Sequence, residues 1–167
     1  FCHLFMKPLS EFYPLLSTSR KVVITTHQKP DADAMGSMLG LKIFLEKLGH
    51  EVTAVSPTNW AGWVNWMPGA KSVIDFEQQK TLVAQKLSEA DWLFCLDFNI
   101  FHRTKSLTEK LKQLTCTKIL IDHHQEPDTP SFTYGVSDTS KSSTCEMIYD
   151  FITQSGYVDK INEAIGE

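Results

Sequence analysis

The feature that most constrains the fold is a set of short apolar runs that do not alternate. Val22-Val23-Ile24-Thr25-Thr26, Trp92-Leu93-Phe94-Cys95-Leu96 and Lys118-Ile119-Leu120-Ile121 are continuous, as strands buried on both faces are. Such strands belong to parallel sheets, whose crossover connections lay helices over each face. Helical spacing supplies the connections. Met38, Leu41, Leu45 and Leu48 repeat at three and four residues within residues 34–48, which close at Gly49, and residues 78–88 and 105–114 read as further helices. The expected fold is α/β: a doubly wound, mainly parallel sheet with helices on both faces and right-handed crossovers.

Between these elements, residues 9–16 suggest a short helix, 51–56 a strand and 73–75 a brief strand. Residues 57–69 form a loop with a short aromatic helical turn carrying Trp60, Trp63 and Trp66, which reads either as a packing patch or as a wall for a stacked base. A polar loop with Pro127, Pro130 and Gly135 leads to Ser142-Ser143-Thr144-Cys145-Glu146. There Ser142 or Ser143 with Glu146 resembles a capping box that opens a helix through residues 147–152. Residues 158–165 read as one more helix. With 167 residues a single domain is expected, and a start at Phe1 without Met suggests a fragment.

Composition narrows the ligand. Sixteen Lys and Arg stand against 20 Asp and Glu, a net charge of -4, so no broad basic surface exists to hold a long duplex nucleic acid. A phosphate must be met locally, and bound cations do this because they invert the sign of an acidic pocket. Cys2, Cys95, Cys116 and Cys145 are scattered without a Cys-x-x-Cys pair, which argues against a disulfide framework or a zinc knuckle. No run approaches the ~18 apolar residues of a membrane span and the N-terminus has no signal-type core. A reducing cytoplasm is the expected compartment, with no membrane partner, and monomer and homodimer both stay open.

Three strands end in polar clusters: His27 through Asp33, Asp97, and Asp122-His123-His124. Ligands of an open parallel sheet gather at the carboxyl ends of its strands, where loops converge and helix N-termini point free N–H groups. Each cluster alone reads as a solvated loop, Pro30-Asp31-Ala32-Asp33 as a turn with helix caps, and Asp97 as a cap for the turn at Asn99. Together they suggest a metal site. In extended backbone Asp31 and Asp33 would point the same way, roughly 6–7 Å apart. Asp97 could bridge two cations roughly 3.5–4 Å apart. Of the adjacent His123 and His124 one would be a ligand and the other free for substrate, with Asp122 fixing a histidine tautomer. Imidazole and carboxylate without thiolate favour Mn²⁺ or Mg²⁺.

The ordered set His27-Gln28-Lys29-Pro30-Asp31-Ala32-Asp33-Ala34-Met35-Gly36-Ser37, then Asp97-Phe98-Asn99 with Arg103, then Asp122-His123-His124, then Ser142-Ser143-Thr144-Cys145-Glu146 resembles the signature of the DHH phosphoesterases. Within them it is most similar to the oligoribonuclease and 3′-phosphoadenosine 5′-phosphate phosphatase branch. The resemblance implies that His27 and Asp31 bind one cation, Asp33 and His123 the other, and Asp97 both, with His124 at the scissile phosphate. It also implies a further Asp ligand in a later segment, which the sequence does not contain; Asp138 is the nearest candidate, in the wrong place. The family's smaller C-terminal substrate-binding domain is likewise not among these residues.

The expected function is hydrolysis of phosphodiester or phosphomonoester bonds in short single-stranded oligonucleotides or nucleoside bisphosphates by a water activated by two divalent cations, Mn²⁺ before Mg²⁺. Asp122, His124 and Arg103 would serve the chemistry, and Asn99, Gly36, Ser37, Ser142 and Ser143 would contact substrate through side chains or helix-start N–H groups. An inorganic pyrophosphatase or exopolyphosphatase would use the same metal core without a base-binding wall. A non-catalytic nucleotide-binding module would keep the fold and lack turnover.

Overall fold

The computed structural model describes residues 6–98, 100–125, 127 and 129–157. Six strands pair in parallel in the order β3-β2-β1-β4-β5-β6: β1 Lys21–Thr25, β2 Glu51–Ser56, β3 Ile74–Asp75, β4 Trp92–Leu96, β5 Thr117–Asp122 and β6 Tyr134–Ser137. The chain starts in the middle, winds out to β3, returns to lay β4 beside β1, and winds out the other way to β6. Ile24 of β1 is in register with Ala54 on one side and Phe94 on the other. The reversal between β1 and β4 is the topological switch point of a doubly wound sheet.

Side-chain alternation explains why both faces are covered. Val22 and Ile24 point into a core shared with helices α1 (Ala32–Lys47) and α4 (Thr144–Gln154), whereas Val23 packs with α2 (Lys80–Glu89), α3 (Thr108–Lys112) and Phe98, Phe101 and Phe132. Phe12, fully buried, seats the N-terminal segment against Trp92, Phe94, Tyr134 and Phe151 at ring separations of 4.8, 5.7, 5.4 and 6.4 Å. Burying one such ring contributes about 1.5–3 kcal/mol. Among the described residues no helix is long and apolar enough to cross a membrane.

Several elements differ from expectation, each for a local reason. Residues 9–16 form two 3₁₀ turns, Leu9–Glu11 and Tyr13–Ser17, because Pro14 lacks the N–H a continuous helix would need. Helix α1 begins at Ala32, with Asp31 as N-cap accepting from the Ala34 N–H at 2.9 Å. Asp33 therefore sits in its first turn, and the extended spacing expected of Asp31 and Asp33 is corrected. The expected helix 105–114 is a 3₁₀ segment, Phe101–Leu107, broken at Lys105 (φ 52°) before the short α3. Strand β6 lies in what the sequence presents as a polar loop. It can pair because Gly135 has no side chain: a Cβ there would lie 2.7 Å from the Leu120 carbonyl and 2.8 Å from Met6 Sδ. The expected helix 158–165 lies outside the described residues.

Candidate metal centre

The carboxyl edge on either side of the switch point gathers the polar clusters. His27 follows β1, Asp97 follows β4, and His123 and His124 follow β5, so three neighbouring strands deliver imidazoles and a carboxylate to one place. Asp97 is the centre of the arrangement and is 3% exposed. Its Oδ2 lies 3.2 Å from His27 Nε2 and its Oδ1 3.3 Å from His123 Nε2. One carboxylate thus splits its two oxygens between two imidazoles. The Asp97 backbone is left-handed at φ 64° while its N–H still reaches the Ile121 carbonyl at 3.2 Å. That conformation is uncommon for non-glycine residues, and Asp tolerates it better than most.

Two overlapping groups have ligand atoms mutually within 4.8 Å: His27, Asp31 and Asp97, and Asp97, His123 and His124. Asp33 stands at the edge of the second group, its Oδ2 4.0 Å from His123 Nε2. Both its oxygens accept backbone N–H groups from the start of α4, Thr144 at 3.0 Å and Cys145 at 2.9 Å. A carboxylate has about four lone-pair sites, so Asp33 keeps acceptor capacity beyond these two bonds.

The donor set fits divalent cations on a further observation. His27 Nδ1 lies 2.6 Å from the Gln28 carbonyl, which can only accept, so the Nδ1 carries a proton. Nε2 then faces the Asp97 carboxylate either as part of a full imidazolium or lone pair to lone pair, and a cation between them resolves the second case. Burial works to lower the His27 pKa, but its bonds to Asp97 and Gln28 and the Asp97 charge outweigh burial and the opposing Arg103 charge, leaving it above its ordinary value. Burial likewise pushes the Asp97 carboxyl up. His27, the Thr144 hydroxyl and His124 more than offset this and hold it below the ordinary carboxylate range.

The remaining sequence candidates fall into distinct places. Asp122, fully buried, accepts from His124 Nδ1 at 2.6 Å and from the His124 N–H at 3.0 Å, which commits Nδ1 of that ring to Asp122. Arg103 is half-buried, and its carbonyl accepts from the Gln28 N–H at 2.9 Å, which ties its segment to the His27 loop. Gly36 faces α4, where a Cβ would meet Cys145 Sγ at 3.1 Å, and the Ser37 hydroxyl turns back to the Asp33 carbonyl at 2.6 Å. Ser143 caps α4 by accepting the Glu146 N–H at 3.2 Å, while Ser142 donates its N–H to the Glu146 carboxylate at 3.1 Å. These four residues are engaged in helix starts and helix packing. Asp138 accepts from Ser140 and joins neither group, and Asn99 lies outside the described residues. Sequence reasoning passed over Thr144, whose hydroxyl donates to Asp97 Oδ1 at 3.0 Å. The available signal was a hydroxyl residue directly after a serine N-cap at this edge of the sheet.

The model of the DHH family, N-terminal domain, matches residues 21–166. The chain is 32% identical over 149 residues to an uncharacterised protein of Mycoplasma genitalium, covering 87% of this chain and 41% of that protein. It is 32% identical over 136 residues to the bifunctional oligoribonuclease and PAP phosphatase NrnA of Thermus thermophilus, covering 81% and 37%. An exopolyphosphatase-related protein from Bacteroides fragilis superposes with a TM-score of 0.88 at 31% identity, over 92% of this chain and 45% of that one. RecJ of Thermus thermophilus, in complex with Mn²⁺, shares the fold at a TM-score of 0.54 and 17% identity, over 92% and 21%. The chain thus spans less than half the length of each of these proteins.

Proposed function

The chain belongs to the DHH family, and on that premise we propose that it is the metal-binding domain of a phosphoesterase acting on short oligonucleotides or nucleoside bisphosphates. The observation that carries this reading is the Asp97 carboxylate shared between His27 and His123 at the switch point. In the proposal His27, Asp31 and Asp97 hold one divalent cation, and Asp97 with His123 and Asp33 holds a second, Mn²⁺ before Mg²⁺. When bound, such a pair supplies Lewis-acid polarisation of a phosphoryl oxygen and a water acidic enough to attack it.

The chain's own residues orient and neutralise. Asp122 fixes the His124 ring so that its Nε2 can meet a phosphoryl oxygen, and Arg103 adds a permanent positive charge beside His27. The nucleotide preference draws on NrnA and on Trp63 and Trp66, which are 65% and 71% exposed. The 3₁₀ turn Gly62–Trp66 follows β2 at the same edge of the sheet, and its loop is tied to the site loop by the Lys29 N–H donating to Thr58 Oγ1 at 2.6 Å. Grip on the substrate by a further domain of the longer protein is part of the same proposal.

A second reading, hydrolysis of inorganic pyrophosphate or polyphosphate, is favoured by the likeness to the exopolyphosphatase-related protein. A panel of dinucleotide, nucleoside bisphosphate, cyclic dinucleotide and pyrophosphate, offered to the full-length protein with Mn²⁺, separates the two. Turnover of the nucleotides is expected, abolished by Asp97→Asn with the fold retained. Full activity of that variant would sink the assignment, and binding of nucleotides without any turnover would make the domain a regulatory module.

A further inference from the structure

We propose that Thr144 is a positioning residue that sets two carboxylates, Asp97 and Asp33, in the geometry needed to receive cations; the inference rests on the proposed metal centre. Thr144 is hydrogen-bonded to both. Its hydroxyl donates to Asp97 Oδ1 at 3.0 Å and its N–H to Asp33 Oδ2 at 3.0 Å, and the next N–H, of Cys145, takes Asp33 Oδ1 at 2.9 Å. Asp97 and Asp33 arrive from different elements, the end of β4 and the first turn of α1. Thr144 at the start of α4 therefore ties the two carboxylates together, with the Cys145 N–H completing the grip on Asp33.

The hydroxyl bond matters because a carboxylate can rotate about its last torsion, a broad and nearly two-fold well. The bond from Thr144 distinguishes the two Asp97 oxygens. Oδ1 is held on the His123 side and Oδ2 is left for His27. Thr144 itself is fully buried, so its hydroxyl is shielded from competing water. Its place is secured in turn by the Ser143 cap and the Ser142 to Glu146 bond, which define where α4 begins. These serines then act on the centre through the helix start they fix. The partners behind metal ligands typically govern affinity by about 10–100-fold.

The test is Mn²⁺ binding to the full-length protein by calorimetry, with folding followed by circular dichroism. Thr144→Val keeps the shape and the N–H to Asp33 but removes the hydroxyl. It should weaken Mn²⁺ about tenfold or more, and Thr144→Ser should restore wild-type affinity. A purely structural role would not show rescue by serine. If Thr144→Val does not fold, Thr144→Ala makes the same comparison. Wild-type affinity in the hydroxyl-free variant overturns the inference alone, as does equal weakening in Thr144→Ser. Failure of the wild-type protein to bind Mn²⁺ overturns the metal reading and this inference with it.

Discussion

His27 donates its Nδ1–H to the Gln28 carbonyl at 2.6 Å and turns its Nε2 toward Asp97 at 3.2 Å, so in the metal-free protein the Asp97 contact favours an imidazolium. A proton there competes with a cation for the same nitrogen. The His27 pKa is raised above 6.5, so the competition extends above that pH. Mn²⁺ affinity should fall as pH falls through the His27 pKa, by up to about tenfold per pH unit for each proton displaced. Titrations between about pH 5 and 8 check this. An affinity already constant above pH 6.5 would contradict it.

Trp63 and Trp66 separate the two substrate readings without touching the metal residues. Replacing both by Ala should weaken binding of dinucleotide by about 1–3 kcal/mol per stacked base, seen as a raised KM. Pyrophosphate hydrolysis and folding stability should change little, since both rings are largely exposed. Equal loss on both substrates would assign the tryptophans to packing.

Gly135 tests the β6 edge. Its substitution by Ala forces a Cβ against the Leu120 carbonyl at 2.7 Å. The expected cost is about 1–3 kcal/mol in chemical denaturation, with the activity of the folded fraction retained. An unchanged denaturation midpoint would show that β6 can be displaced freely.

His50 is a structural histidine with the opposite pH signature to His27. It is buried, its Nδ1 accepts the Arg20 N–H at 3.0 Å and its Nε2 faces the Leu16 carbonyl at 3.1 Å, which fixes a neutral ring. Burial holds its pKa below the ordinary 6.5, outweighing the Leu16 carbonyl, with Arg20 adding to the depression. The unfolded chain therefore takes up the proton first as pH drops. The His50 contribution is complete above pH 6.5 and shrinks below it, by at most about 1.4 kcal/mol per pH unit, until the folded-state pKa is reached. The stability gap between wild type and His50→Gln should narrow on acidification over that range. A gap independent of pH would refute the assignment.

The sheet was legible because its central strands are buried on both faces and carry unbroken apolar runs. Strand β6 was not, because it is short, half-buried and contains Gly135, whose value lies in a close approach to Leu120 rather than in any pattern along the chain. The break at Lys105 was hidden for a related reason: helical spacing in residues 105–114 carries no record of a residue at φ 52°. At the candidate site, the clusters at strand ends named residues that the fold brings together. Their connections were not legible. That Asp33 reaches the start of α4 and Asp97 meets Thr144 depends on contacts 111 and 47 residues apart in sequence, which local periodicity cannot encode. Asp31 shows both meanings at once, a helix cap on its Ala34 bond and a member of a candidate ligand group.

The left-handed backbone at Asp97 carries an implication for how such a domain would age once its chemistry is no longer needed. Glycine adopts φ 64° without the crowding that a Cβ brings, but it would leave the Thr144 hydroxyl and the facing nitrogens of His27 and His123 without their carboxylate. The backbone cost of aspartate at that position is thus set against three polar contacts. A descendant released from the proposed metal binding would therefore lose the aspartate only together with His27, His123 and Thr144, so the four positions would drift as a set.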